Sequence, residues 1–239
     1  MKLGQIVSWL DAALNVAAFD DVANNGLQIG RAEEAAAEVK AVAFAVDASV
    51  RAVQAAAAAG AGLLVVHHGI SWGGGIRRLT GGVGRVVRAA TAANLALYAC
   101  HLPLDAHPRL GNNAQLARLL GLKRVRPAFK YHGKVIGCVG ARDGHLVGVC
   151  SGGAGEFAEE AQRLGCDAYL TGEASWGEVV AAENCGMTMI CAGHYETEVF
   201  GVRAVAREMR RRLGLRTVDL TAALWSAAPA GPDPAQGLI

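Results

Sequence analysis

The sequence predicts an α/β protein of two similar three-layer lobes, in which mixed sheets are flanked by helices. Three observations support this prediction. Short aliphatic runs such as residues 63–66 are typical of strands that are buried on both faces. Segments with helical periodicity alternate with these runs, which is the pattern of βαβ units. The same order of elements recurs in the second half of the 239-residue chain.

The chain begins with an amphipathic segment. Apolar residues recur at helical spacing over residues 2–18, so a helix is expected there. The Asn25-Gly26 pair is typical of a turn, and a short strand is expected directly after it. A strand over residues 42–46 and a helix over 48–59 then lead to the strand 63–66.

Polar residues follow two of these early strands. Asp47 ends the first, where either Asp47 or Ser49 is a candidate N-cap for the next helix. His67, His68 and Gly69 end the second. Ligands of open α/β sheets bind outside the carboxyl ends of the strands, so the paired histidines lie at a favoured position for chemistry. Taken alone, the pair favours the simpler interpretation of one core histidine beside one solvent-facing histidine, and the rest of the chain has to overturn it.

A third strand repeats this arrangement. A glycine-rich loop over residues 69–82 and a helix over 83–94 precede the strand 95–100. His101 follows that strand directly. Pro103 argues against a regular helix after it, because proline removes a backbone donor.

The boundary between the lobes is expected near the middle of the chain. A helix over residues 111–120 leads to the basic stretch 123–134, which contains Pro127 and is expected to be a loop. We therefore predict a first lobe over residues 1–126 and a second over 127–239, with no room for an inserted third domain.

The second half follows the same plan. Two apolar runs around Asp143-Gly144 predict a hairpin. The glycine-rich run 151–155 either cradles a phosphate at a helix N-terminus or is a plain turn, and the turn is favoured. The remaining expected elements are helices over 157–164, 177–184 and from about 194 to 213, and strands over 167–170, 187–192 and 217–220.

Two matches relate the halves. Residues 67–73 align with residues 171–177, and each segment follows a helix, a glycine and a short strand. One strand later, His101-x-x-x-Asp105 aligns with His194-x-x-x-Glu198. An approximate internal two-fold relation would bring both His-x-x-x-carboxylate turns to one cleft between the lobes.

These side chains are the ligand types that zinc, iron, manganese and cobalt accept. If His194 begins a helix, Glu198 lies one turn later on the same face. Two metal ions about 3.5–4 Å apart would use more ligands than one tetrahedral ion can. The role of His101 stays open between a ligand, a neighbour of the ligands and an ordinary strand end. Glu173 has no metal-binding counterpart in the first half and is expected to line the cleft or to bind a partner group.

Composition excludes several classes of function. The net charge of +2 and the few aromatic residues disfavour a nucleic-acid groove. No run of about 20 uncharged apolar residues predicts a transmembrane helix, and no signal-peptide pattern is present. None of the six cysteines forms a Cys-x-x-Cys pair, so buried free thiols in a reducing compartment are expected. The expected location is the cytoplasm.

A set of short segments carries a family resemblance: 25–30, 66–69, 101–105, 111–113, 171–173 and 193–201. Through them the chain resembles the NIF-three-like family of dinuclear metal proteins, whose members are often described as type 2 homologues of GTP cyclohydrolase I. The resemblance covers nearly the whole chain. One departure is Gly69, where family members usually have proline.

The resemblance implies a ligand set and an assembly. Two divalent ions (zinc, iron or manganese) would be held by His67, His68, Asp105, His194 and Glu198, with Glu198 as the bridge. His101 would lie close by as a supporting group or a proton carrier. Family members form ring-shaped hexamers, so the resemblance also implies a homo-oligomer.

Two functions remain open at this point. The first is a metal-dependent hydrolase that acts on a small nucleotide-like or phosphoester molecule, with His101 or Glu173 transferring protons. The second is a non-enzymatic scaffold or metal chaperone whose ring presents metal to a partner. Nothing in the sequence selects GTP as the substrate.

Overall fold

The computed structural model describes residues 1–30 and 36–226. Within them the chain forms two five-stranded mixed sheets with helices on both faces, which confirms the predicted fold class. The first sheet has the strand order β1-β4-β3-β2-β10 and the second has the order β5-β6-β7-β8-β9. The strands are β1 Gly26–Ile29, β2 Ala41–Asp47, β3 Leu63–His68, β4 Ala96–Ala99, β5 Lys123–Tyr131, β6 Lys134–Arg142, β7 His145–Gly153, β8 Ala168–Glu173, β9 Thr188–Cys191 and β10 Arg216–Asp219.

The helices cover both faces of each sheet. Helices α1 and α8 pack on one face of the first sheet, and α2, α3 and α9 pack on the other. Helices α6 and α7 pack on one face of the second sheet, and α5 and α8 contact the other. The helices are α1 Leu3–Leu14, α2 Val50–Ala58, α3 Gly81–Ala92, α4 Leu102–Asp105, α5 Asn112–Leu119, α6 Ala158–Arg163, α7 Trp176–Asn184, α8 His194–Leu213 and α9 Thr221–Ser226.

Helix α8 is the element that both sheets share. It contacts β2 and β10 of the first sheet and β7 and β8 of the second. Its buried residues occur on more than one side, including Glu198, Val202 and Val205. Side chains at the start of α8 are therefore placed where the two sheets approach each other.

The internal repeat is visible in the sheets. Strands β2, β3 and β4 are parallel neighbours, and β7, β8 and β9 are parallel neighbours in the same sequential order. The two sheets differ in the strands that flank these parallel triplets. The first sheet gains β1 and β10, whereas the second gains the antiparallel strands β5 and β6. Because β10 pairs with β2, the chain returns to the first sheet near its end.

The basic stretch that we expected to be a loop is a strand. Strand β5 pairs with β6 in antiparallel register, and Pro127 lies opposite Cys138. Strand β5 is at the edge of its sheet, where a residue without a backbone donor is tolerated. The expected hairpin of β6 and β7 is present, and Asp143 and Gly144 both have positive φ, as its two-residue turn requires.

A second difference concerns Pro103. The segment after His101 forms the single helical turn α4, with Pro103 in its first turn. Proline costs a helix little at that position, because the first backbone N–H groups have no partner within the helix.

No helix in the described ranges is both long enough and apolar enough to cross a membrane.

Candidate metal centre

The paired histidines end β3 and are held differently. His67 is completely buried, and its Nδ1 donates a hydrogen bond to the carbonyl oxygen of Cys100 at 2.9 Å. The side chain of His68 is one-fifth exposed, and its Nδ1 donates to Asp47 Oδ1 at 2.8 Å. Asp47 lies opposite His68 in the parallel register of β2 and β3. Both rings therefore have one nitrogen tied to the protein.

His101 and Asp105 lie at the two ends of α4. His101 Nδ1 donates to Asp21 Oδ1 at 2.9 Å, and Asp21 Oδ2 accepts the backbone N–H of Leu102 at 2.9 Å. The Asp21 side chain is nearly fully buried. Burial raises its pKa, but the hydrogen bond and charge of His101 outweigh this effect and lower the pKa to about 2. Asp21 thus fixes the position of His101 and caps the first turn of α4.

The third pair begins α8. His194 Nε2 lies 3.2 Å from Glu198 Oε1, one helical turn later, as the spacing predicted. His194 Nδ1 donates to Glu173 Oε1 at 2.9 Å. The Glu198 carboxylate also lies 3.5 Å from His67 Nε2 and 3.3 Å from His68 Nε2. Glu198 is therefore the central group of the cluster.

The four histidines of the cluster share one arrangement. Each Nδ1 faces an oxygen that can only accept, so each Nδ1 carries a proton, and in a neutral ring each Nε2 is left with a lone pair. This is the arrangement by which proteins orient imidazole ligands of metals. The sequence reasoning missed Asp21 and Asp47 in this role. The sequence could have indicated Asp47, because Asp47 ends the strand that pairs with the histidine strand. The helix cap that was its other candidate role belongs to Ser49, which caps α2.

Two buried polar atoms of the cluster have no hydrogen-bond partner, namely His67 Nε2 and Glu198 Oε2. Leaving such atoms unpaired costs about 1–3 kcal/mol each, so native proteins rarely tolerate them. Bound divalent cations would satisfy both. The residues present therefore fit a metal site on their donor chemistry and on this deficit.

The charges of the cluster are strongly coupled. Burial lowers the pKa of His67, but the carboxylates of Asp105 and Glu198 outweigh it and raise the pKa to about 10. The hydrogen bond to Glu198 raises the pKa of His194 to about 9. Burial raises the pKa of Glu198, whereas the charge of His67 and the hydrogen bond with His194 bring it far below its usual range. Without metal, the rings of His67 and His194 therefore hold a second proton at neutral pH.

The candidate ligand atoms form two overlapping groups. One ring nitrogen each of His67, His68 and His101 lie within 4.8 Å of one another. One ligand atom each of His68, His194 and Glu198 also lie within 4.8 Å of one another. Asp105 Oδ2 lies 3.5 Å from His67 Nε2, on the side of the first group. His68 belongs to both groups, so two cation positions would be neighbours.

Asp105 is held by buried polar residues from both halves of the chain. Its Oδ1 accepts hydrogen bonds from Asn112 Nδ2 at 2.8 Å and from Ser151 Oγ at 3.2 Å. Asn112 Oδ1 accepts the backbone N–H of Gly201 in α8 at 2.6 Å. The neighbouring Asn113 donates to the carbonyl of Ile136 in β6 at 2.8 Å. These contacts explain the Gly-Asn-Asn segment, which links α5 to α4, to α8 and to the second sheet.

The segment after the first turn supports the same region. Asn25 Oδ1 accepts the backbone N–H of His101 at 2.7 Å, and Gln28 Oε1 accepts that of Ile70 at 2.7 Å. A Cβ atom on Gly69 would lie 2.6 Å from the Cβ of Ala99. The turn after the paired histidines therefore has no room for a side chain.

A cavity of about 650 Å³ opens beside the cluster. His68, His101, Asp105, His194 and Glu198 all line it. Its wall also includes Trp72, Tyr131, Glu156, Phe157 and Glu173. A cavity of this size can hold a small organic molecule next to the candidate ligands.

The cluster and the fold define a class: two-lobed α/β proteins with a buried His/carboxylate cluster between the sheets. The model of the Duf34/NIF3 (NGG1p interacting factor 3) family matches residues 1–146 and 132–226. The chain belongs to this family, which confirms the resemblance stated above.

Curated relatives support this assignment. A protein of Pyrococcus horikoshii named GTP cyclohydrolase 1 type 2 homolog is 38% identical, over 91% of this chain and 97% of its own length. A protein of Deinococcus radiodurans with the same name is 39% identical, over 88% of this chain and 89% of its own length.

Solved structures agree with the fold. TTHA1606 from Thermus thermophilus has a TM-score of 0.81 and 29% identity, over 97% of this chain and all of the other. The protein ybgI, described as of unknown function, has a TM-score of 0.79 and 29% identity, over 92% of this chain and 98% of the other.

Proposed function

We propose that this protein binds two divalent metal ions in the cluster and is a metal-dependent hydrolase of a small molecule. The observation that carries the proposal is the pair of unpartnered buried atoms, His67 Nε2 and Glu198 Oε2, inside a set of oriented imidazoles. The name of the relatives, GTP cyclohydrolase 1 type 2 homolog, is compatible with hydrolysis. The ions that fit this donor set are zinc, iron and manganese.

The ligands would be His67, His68, Asp105, His194 and Glu198, with Glu198 between the two positions. Its two carboxylate oxygens already face different histidines: Oε1 faces His67 and His194, and Oε2 faces His68. The chemistry that two divalent ions supply in such a site is Lewis-acid activation of water and of the substrate.

Other residues of the chain would orient the ligands and move protons. Asp47 and Glu173 hold His68 and His194 through their Nδ1 atoms. His101 lines the cavity with one ring nitrogen held by Asp21. The free nitrogen of His101 is therefore placed either to complete the first group of ligands or to carry a proton to or from a bound substrate.

The first experiment measures metal. Purified protein is analysed for metal content, and metal-free protein is then titrated with zinc and with manganese. We expect close to two ions per chain. A protein that contains no metal and binds none on titration would refute the proposal.

The second experiment separates the enzyme from the scaffold or chaperone. The metal-loaded protein and its Asp105→Asn variant are compared on a panel of nucleotides and phosphoesters. We expect turnover that the variant loses. Tight metal binding without turnover of any substrate would favour the non-enzymatic function.

We also propose a homo-oligomer, with a hexamer as the expected state. Light scattering on the metal-loaded protein tests this, and a monomer would contradict it.

A further inference from the structure

We propose that the cavity beside the cluster binds an unphosphorylated planar heterocycle, such as a nucleobase or a nucleoside, against Trp72. The inference rests on the proposed function and narrows its substrate class. Three features of the cavity carry it: its charge, the state of its backbone donors and the placement of one indole ring.

The cavity wall is acidic. Five carboxylates line it, and no lysine or arginine lies among its lining residues in the described part of the chain. Two divalent ions would roughly balance these carboxylates and leave no excess positive charge for a triphosphate. Protein sites for phosphate use arginine, lysine or free backbone N–H groups to neutralise it. The five carboxylates are those of Asp47, Asp105, Glu156, Glu173 and Glu198.

The glycine-rich run beside the cavity does not replace those missing cations. The backbone N–H of Ser151 donates to Asn113 Oδ1 at 2.8 Å, and that of Gly152 donates to Thr197 Oγ1 at 3.1 Å. The N–H of Ala154 donates to Thr171 Oγ1 at 3.2 Å. Three of the five N–H groups in the run are therefore already used within the protein, and a phosphate cradle needs several free N–H groups that converge on one point. The expected plain turn is wrong for Ser151 to Gly153, which are the last residues of β7, and a short 3₁₀ helix follows at Gly155–Phe157.

Trp72 supplies a surface for a flat ligand. Its side chain lines the cavity and is 40% exposed, although it is held in place. The indole Nε1 donates to the carbonyl of Gly69 at 3.1 Å, and the next residue, Gly73, donates its N–H to Val22 at 2.7 Å. The indole lies 5.2 Å from the His101 ring, centre to centre. A fixed aromatic ring beside the cluster is suited to stacking on a base, and stacking does not require a particular base.

The test compares matched ligands that differ only in phosphorylation. Zinc-loaded protein is titrated calorimetrically with guanosine, adenosine and cytidine, and with their 5′-mono- and triphosphates. Zinc content is measured after each titration, because a triphosphate can remove the metal. We expect at least one nucleoside to bind as tightly as its phosphorylated forms or more tightly.

Four variants assign the binding to the cavity. Trp72→Ala should weaken nucleoside binding by about 5- to 100-fold, and Trp72→Phe should restore part of it. Trp176→Ala is the matched control, because Trp176 is 78% exposed and lies outside the cavity lining. Glu156→Lys, which adds the missing cation, should increase the affinity for the monophosphate relative to the nucleoside.

Two results would overturn the inference. In the first, each nucleoside binds more weakly than its mono- and triphosphate while the protein keeps its zinc. In the second, none of the three nucleosides binds. Failure of the proposed function can be told apart from failure of this inference, because in the first case the protein does not bind zinc. Nucleoside binding by the metal-free protein that depends on Trp72 would still support the inference.

Discussion

Gly152 offers the sharpest test of the geometry of the cluster. It lies near the end of β7 with a φ of +71°, and a Cβ atom there would lie 2.5 Å from Glu198 Oε1. The same atom would lie 3.4 Å from His194 Nε2. The Glu198 side chain is buried among the histidines, so it has little space into which to retreat. The substitution Gly152→Ala should therefore displace the central carboxylate.

The size of the effect follows from these distances. Glu198 Oε1 would have to move by about 1 Å to reach an ordinary van der Waals separation from the new carbon. Metal–ligand distances tolerate changes of about 0.2 Å, so the loss of metal affinity should be at least about tenfold. The left-handed backbone conformation of an alanine at this position should further lower the free energy of unfolding by about 1–2 kcal/mol.

The adjacent glycine is the matched control. A Cβ atom on Gly153 would lie 3.5 Å from Glu173 Oε1, which is an ordinary contact, and its φ is not positive. Metal affinity is measured by competition with a chromophoric chelator, and stability is measured by urea unfolding of the metal-free proteins. We expect a large loss for Gly152→Ala and near wild-type values for Gly153→Ala. Equal metal affinity of Gly152→Ala and wild type would refute the reasoning.

Two further predictions concern the groups around the cluster. Asp21→Asn should weaken metal binding by about 10- to 100-fold, because an amide group cannot accept both the His101 ring N–H and the Leu102 backbone N–H. Asp20→Asn is the control, because Asp20 is exposed. Equal metal affinities of the two variants would show that Asp21 does not hold the cluster in place. The metal-free protein should lose stability as the pH rises from about 7 toward 10, since the folded pKa values of His67 and His194 are about 10 and 9, whereas unfolded histidine has a pKa of about 6.5. That stabilisation is complete below the unfolded pKa and is lost as the pH passes the folded values. Urea unfolding across this range measures it, and a stability that does not change with pH would show that the imidazoles are not protonated.

Much of the candidate site could be predicted from local sequence. His67 and His68 directly follow an apolar run, and His194 and Glu198 have the spacing of one helical turn. Such positions depend only on where a strand ends and how a helix turns. The structure brings all of them together with Asp105, as the sequence comparison of the two halves indicated.

Other parts could not be predicted locally. Strand β5 was mistaken for a loop, because Pro127 is tolerated in a sheet only at its edge, and edge position is a property of the whole sheet. The turn α4 was missed because a proline in a first helical turn costs little, and a sequence does not show where that turn begins.

By itself, then, the sequence determined the class of fold, the polar strand ends and the residue types suited to a metal. Only the tertiary structure decided which oxygens hold the imidazoles. Asp21 is 80 residues from His101, and Asp47 is 21 residues from His68. Hydrogen bonds over such separations are set by how strands pair and helices pack, and no periodic pattern along the chain encodes them. The same packing leaves His67 Nε2 and Glu198 Oε2 buried without a partner, a deficit that is visible only in three dimensions.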